Sequence, residues 1–307
     1  MRGFAAMIEQ LQSVLNLLCC PDDGHSLKIV PGQLNCTGCD RAFPIHSCQV
    51  VELLPCRPVA LSATIEAEYR NAYLHLFNQP FEENNKSLAW GAPEAYAESW
   101  VRKRQRQVVA VGSLVTDGVE QGSVLCDIAA GAGYYTFAYH HDFHTVLHCD
   151  LSVDNLNYAT HKARIQGLSN IVFLRIDYFQ PPFRHSLDRI VCLDTLIRGE
   201  AHDSMLLRRI AQCLKPSGRA VVDFHNWWHN PLRRLGVLPE NFRHSRSCSR
   251  SEIKELFRTS AIQEVDFRRF VQEFDSGTWL ERTFSWAVPA TRFLYQIGDC
   301  KVVAPSL

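Results

Sequence analysis

What this sequence lacks bounds it first. No run of about 18 apolar residues occurs among its 307 residues, so no membrane-spanning helix is expected. Thirty-two basic side chains balance 32 acidic ones for a formal charge of zero, so nothing in the composition demands a polyanionic partner. Internal repeats and low-complexity segments are absent, which sets aside solenoids and flexible tethers. A full G-x-G-x-x-G is missing too, where a dinucleotide-binding dehydrogenase would more often carry one.

Cysteine, by contrast, is plentiful, with 12 in the chain. Cys126, Cys149, Cys192 and Cys213 sit singly in apolar stretches and read as small buried hydrophobes of a reducing compartment. Glu9 and several glutamines interrupt the apolar N-terminus, which suits an amphipathic helix better than a signal peptide. A cytoplasmic protein is therefore expected, long enough for one full α/β domain and something smaller.

The stretch SVLCDIAAGAG at 123–133 organises the chain. Val124 to Ile128, with Asp127 among them, reads as a short buried strand; Ala129 to Gly133 is a small-residue turn, and Tyr134 to His141 reads as a helix. A strand entering a helix through glycines brings backbone N–H groups close to a ligand with no Cβ in the way. Such a loop serves nucleotide-type cofactors, S-adenosylmethionine (SAM) among them, and does not by itself choose between them. Three further apolar strands follow: Thr145 to Cys149 ends in Asp150, Ile171 to Ile176 in Asp177, and Leu187 to Leu193 in Asp194. Acids at successive strand ends describe a crevice at the carboxyl edge of a parallel sheet, with Asp150 placed for ribose hydroxyls and Asp177 for an adenine amino group.

DIAAGAG at 127–133, HCDLS at 148–152, DYFQPPF at 177–183, LDRIVCLDTL at 187–196 and LKPSGRAVVDF at 214–224 together resemble the class I SAM-dependent methyltransferases, in particular their small-molecule branch. The resemblance covers roughly residues 95 to 305. It implies a doubly wound, seven-stranded, mostly parallel Rossmann-like sheet closed by an antiparallel strand. It also implies SAM contacts from Asp127, Ala129, Gly131, Gly133, Asp150, Leu151, Asp177, Tyr178 and Leu193. Ala129 stands where the family usually has its first glycine, a mild change that leaves Gly131 and Gly133 to form the turn.

Residues 19–56 use cysteine differently. Cys20 opens one knuckle, Cys36-Thr37-Gly38-Cys39 supplies a second, and a hairpin turning at Pro31-Gly32 joins them. Ligands at this spacing make a zinc ribbon, which staples a segment too small to own a core. LLCCPDDGHSL, CTGC, RAFPI and VVELLP resemble the small zinc-ribbon proteins that activate RNA methyltransferases. Asp23 stands at the position of that family's second cysteine. The fourth ligand beside Cys20, Cys36 and Cys39 is therefore Asp23, His25 or Cys19, unless the segment is a metal-free mini-domain.

Three domains are expected: the helix and ribbon over 1–56, a linker and helical cap over 57–118, and the methyltransferase domain over 119–307. In the cap, Tyr69 or Tyr73 sits where the resembling family commonly touches the methionine end of SAM. Arg102, Lys103, Arg104 and Arg106 form a charge run on a helix from Ala95 to Val115, a solvated face or a phosphate contact. Beyond a strand from Arg219 to Phe224, HNWWHNP at 225–231 places Trp227, Trp228 and His229 toward a substrate pocket. Candidate general bases are His225 and His202, with Asp194 and His229 behind them.

Methyl transfer to an oxygen, nitrogen or carbon atom of a small molecule is the favoured reading. An RNA-base methyltransferase, resembling the bacterial large-subunit rRNA guanine-N1 enzymes, is the second, with the zinc module gripping RNA. Against it, the first 60 residues carry four basic and five acidic side chains. A non-catalytic binding module is the third. The ribbon is further expected to pack on the catalytic domain as an in-chain substitute for the separate activator.

Overall fold

The computed structural model describes residues 2–60, 62–65, 67, 98–196, 199–225, 248–271 and 297–306. Its centre is an eight-stranded sheet in which β5 (Val124–Ile128), β6 (Thr145–Asp150), β7 (Ile171–Ile176), β8 (Leu187–Cys192) and β9 (Leu214–His225) run parallel. The order is β10-β11-β9-β8-β5-β6-β7-β4, where β10 (Ile262–Val271) and β11 (Ile297–Pro305) are an antiparallel pair and β4 is Val50–Leu53. Strands β5 and β6 are buried along their whole length because both faces of the sheet are covered.

One face carries α2 (Glu98–Thr116), α3 (Tyr134–Tyr139) and α4 (Val153–Ile165), through Val111, Val115, Tyr139, Leu156 and Ala163. The other carries α1 (Arg2–Val14), α5 (Glu200–Cys213) and α6 (Arg250–Thr259), through Met7, Leu11, Leu207, Ile210 and Phe257. Two helix starts follow the local chemistry. The Ser152 hydroxyl accepts from the Asn155 N–H, and Ser249 and Glu252 form a reciprocal capping box. Strand β9 begins five residues earlier than its apolar run, at Leu214 opposite Leu187; the register shifts before Arg189 meets Arg219 and absorbs Lys215 to Gly218.

Eight strands stand where seven are expected, and the eighth comes from the N-terminal segment. Strand β4 lies parallel to β7, Val50 beside Phe173 and Leu53 beside Ile176. The ribbon's other strands, β1 (Leu27–Val30), β2 (Gln33–Cys36) and β3 (Ala42–Pro44), make a separate antiparallel sheet. The physical reason lies in the connection between β7 and β8. Residues 177–186 cross the sheet without a helix, so the face beneath them is covered from elsewhere. Helix α1 covers it, and Met7, Leu11, Val14 and Leu18 share one core with Leu174, Ile176 and Phe183. The crossing segment is stitched to the ribbon by Cys19 N–H to Pro182 O at 2.9 Å and by Arg184 N–H to Leu17 O at 3.1 Å.

The strand order reverses between β5 and β8, which is where an open α/β sheet forms its ligand crevice. No helix among the described residues is long and apolar enough to cross a membrane.

Candidate functional site: a glycine turn at the switch point and a cysteine-aspartate metal centre

The turn leaving β5 is left-handed at three positions, Ala129 (φ 56°), Gly131 (φ 54°) and Gly133 (φ 81°). A Cβ on Gly133 would lie 2.6 Å from the Phe137 ring, so only glycine fits there. Ala129 is a different matter from the mild change expected: its Cβ sits in the left-handed region, which costs about 1 kcal/mol. The turn is held from β6, by Ala130 N–H to Cys149 O at 3.0 Å and Gly131 N–H to Asp150 Oδ2 at 2.7 Å.

Asp150 is buried, and burial pushes its carboxyl pKa up against the pull of the Ser152 and Gly131 N–H groups. Its Oδ1 accepts from Ser152 N–H at 2.8 Å and Asn155 Nδ2 at 3.3 Å. A carboxylate offers about four acceptor positions, so one on Oδ2 remains for a ligand hydroxyl. Leu151 follows it, and its carbonyl accepts from Arg175 Nε at 3.1 Å. Leu193, past the end of β8, is buried in the core, and Asp194 beside it has φ 58°, its N–H donated to Asp223 Oδ1 at 2.7 Å.

Asp127 lies beneath the turn. Its Oδ2 accepts from the Thr136 N–H at 2.9 Å and hydroxyl at 2.6 Å, fixing the first turn of α3. Burial raises it to about 7, with the Thr136 bonds opposing. The same hydroxyl meets His148 Nδ1 at 2.9 Å, and burial lowers that imidazole to about 3, so it is neutral. The Thr136 proton goes to the carboxylate, which leaves its oxygen to accept from His148 Nδ1–H.

Asp177 is enclosed more fully than Asp150. Its carboxyl is wholly enclosed, Oδ1 accepting from Phe179 N–H at 2.9 Å and the Ser62 hydroxyl at 2.7 Å, and Oδ2 from Val59 N–H at 3.3 Å. The N-terminal linker thus covers this carboxyl, leaving Asp177 0% exposed where Asp150 keeps 8%. Tyr178 is buried beside it and packs on the Phe179 ring, with centroids 4.6 Å apart. His202 is buried as well, edge-on to Phe179 and Tyr178, with Nδ1 2.8 Å from Asp203 Oδ1. Within this enclosure it packs as part of α5. His225 ends β9 at the carboxyl edge. Tyr69, Tyr73, Trp227, Trp228 and His229 lie outside the described residues, as do the side chains of Arg102, Lys103, Arg104 and Arg106.

The second site is the tetrad Cys20, Asp23, Cys36 and Cys39, whose ligand atoms all fall within 4.8 Å of one another. Cys20 Sγ and Cys39 Sγ are 3.8 Å apart, and Cys36 Sγ lies 3.4 Å from both Asp23 oxygens. Zinc–sulfur bonds of about 2.3 Å at tetrahedral angles require roughly 3.8 Å between sulfurs, and slightly less from sulfur to oxygen. The spacing and donor set fit a structural Zn2+ site. Gly38 and Cys39 N–H groups point at Cys36 Sγ from 3.3 and 3.5 Å, where they would stabilise a thiolate. His25 stands outside, its N–H on Asp23 Oδ1 at 2.9 Å and its Nδ1 3.3 Å from Oδ2. Cys19 is not one of the four, and its backbone is bridged to Ser26.

Comparison with known proteins matches this geometry. Residues 125–218 match the family described as a methyltransferase domain, and residues 12–46 match the family of Trm112p-like proteins. No curated protein sequence matches the chain. Among solved structures, magnesium protoporphyrin IX methyltransferase from Synechocystis PCC 6803, with bound S-adenosylhomocysteine (SAH), superposes with a TM-score of 0.53 at 16% identity, over 79% of this chain and 99% of that one. Phosphoethanolamine N-methyltransferase 2 from Haemonchus contortus, in complex with SAM, gives 0.52 at 14% identity, over 82% of this chain and 61% of that one. Another structure of the Haemonchus enzyme is covered over only 53% of its length, so the present chain spans little more than half of that protein. Residues 125–218 are thus similar to a methyltransferase domain within a Rossmann-like fold, and residues 12–46 to the Trm112p-like proteins, with β4 just beyond them completing one edge of the sheet.

Proposed function

We propose that the chain is a SAM-dependent methyltransferase acting on an oxygen, nitrogen or carbon atom of a small molecule. The observation that carries this reading is the left-handed turn at the switch point facing Asp150, whose Oδ2 keeps an acceptor position beside the Gly131 N–H. When bound, SAM would supply an electrophilic methyl group on a sulfonium, open to in-line displacement. The chain's own residues hold and orient. Asp150 accepts a ribose hydroxyl, Gly131 and Gly133 let the backbone approach, and Asp127 fixes the start of α3. Where the acceptor must lose a proton, His225 at the end of β9 is the proposed base, and Trp227, Trp228, His229 and Tyr73 are proposed to line the acceptor pocket.

The charge supports a small acceptor over RNA. The N-terminal 60 residues sum to −1, from four basic and five acidic side chains, whereas a module gripping a phosphate backbone should be basic. The setting we infer is the reducing cytoplasm, consistent with buried thiols such as Cys126 and Cys149, whose sulfurs lie unbridged at 3.7 Å. The test is to incubate the protein and methyl-labelled SAM with a metabolite extract and, separately, with total RNA. Label in the metabolite fraction that disappears with Asp150→Ala is the expected result. Label in RNA would transfer the assignment to an RNA-base methyltransferase, and absence of label in both would favour a binding module.

A further inference from the structure

The N-terminal segment meets the crevice at two places, and both belong to the same half of it. Because β4 runs parallel to β7, the chain leaves β4 at the carboxyl edge, where the crevice opens. There Cys56 N–H is tied back to Asp22 Oδ1 at 2.7 Å. Val59 and Ser62 then close over the Asp177 carboxyl, and Ile65, three residues on, is buried in the core. Ser62 is itself only 1% exposed, so its hydroxyl has no water to exchange for Asp177. The second contact starts at Glu52 on β4, whose carboxylate accepts from Arg175 at 3.2 Å; the Arg175 Nε holds the Leu151 carbonyl, next to Asp150. The segments following β6 and β7, which a cofactor's adenosine half would touch, are therefore both braced by residues that precede position 63.

We propose that Val59 and Ser62 belong to the wall of the crevice at its adenosine end, with Ser62 the positioning residue that links docking of the N-terminal segment to cofactor affinity. This inference rests on the SAM reading given above. Asp177 acts through the linker: it holds Val59 and Ser62 in place, and the linker in turn shapes the wall that the adenine meets. Linkage is reciprocal, so a cofactor that favours the closed linker must also protect it.

The test uses the full chain and SAH. Ser62→Ala leaves an Asp177 oxygen short of a buried donor and is expected to weaken SAH binding about tenfold, whereas Ser62→Thr, which keeps the hydroxyl, restores it. Hydrogen exchange on the unaltered protein provides an independent reading should Ser62→Ala fail to fold: saturating SAH slows amide exchange over residues 57–65. If the unaltered protein binds SAH, but Ser62→Ala binds it equally well or exchange over 57–65 is indifferent to it, the linkage is overturned and the SAM reading stands. If the folded, unaltered protein does not bind SAH, the cofactor reading itself fails and the linkage with it.

Discussion

The carboxyl ends of β6 and β7 carry the same residue type in the same place, and the protein puts them to different uses. Asp150, on an interior strand, faces the glycine turn and keeps an acceptor position on Oδ2. Asp177 follows a strand that would be the edge of a seven-stranded sheet, but the N-terminal segment has claimed that edge, and with it the carboxylate. What decides the role of a strand-end acid is which chain passes over it.

The largest test of this contrast is removal of residues 1–56. Burying Met7, Leu11, Val14 and Leu18 contributes about 6–12 kcal/mol, comparable to the whole stability of a domain. The shortened chain should lose its cooperative thermal transition. A cooperative melt close to that of the full chain would show that β7 does not need its partner.

Next in size, Asp177→Ala strands three donors, the Ser62 hydroxyl and the Phe179 and Val59 N–H groups, and should lower stability by about 3 kcal/mol in denaturant unfolding. A loss below about 1 kcal/mol would erase the distinction drawn between the two acids.

Titration sharpens the comparison on the side of the glycine turn. Asp127 rises on folding from 3.8 to about 7, so the folded chain binds its proton more readily and its contribution falls as pH rises from about 4 to 7. His148 drops from 6.5 to about 3, so the unfolded chain binds that proton more readily and its contribution grows from about pH 3 to 6.5. The two slopes oppose one another over the shared window. Asp127→Asn removes one of them, and the variant's melting temperature should climb between about pH 4 and 6.5 more steeply than that of the unaltered protein. A variant whose profile stays flat would mean that His148 is not held neutral beneath the turn.

The smallest effect belongs to Ala129→Gly. Relieving a left-handed alanine gains up to about 1 kcal/mol, less the entropy glycine loses on folding. A destabilised variant would show that the Ala129 methyl makes packing contacts worth more than the strain.

Most of the parallel sheet was legible because buried strands are continuous apolar runs, and punctuation such as Ser152 and the 131–133 glycines marks where helices begin. The metal tetrad was legible as well: Asp23 follows Cys20 at the knuckle spacing, and the structure gathers it with the three cysteines in preference to His25 or Cys19. What sequence left hidden was long-range. VVEL at 50–53 has the pattern of a ribbon strand, and nothing local says that its partner is β7, more than 100 residues away. Ser62, Thr136 and Arg175 have no signature either, since a hydroxyl or guanidinium at a site is recognised by what it meets in space. Asp177 and His202 show the same limit, since nothing local says which chain covers a strand-end acid or a helix-start histidine.

The most direct measurement is calorimetric titration of the full chain with SAH, run in parallel on Asp150→Ala. One binding site in the micromolar range, weakened about a hundredfold in the variant, is the predicted result. A folded protein that takes up no SAH, or binds it equally well without the Asp150 carboxylate, would contradict the assignment of this crevice.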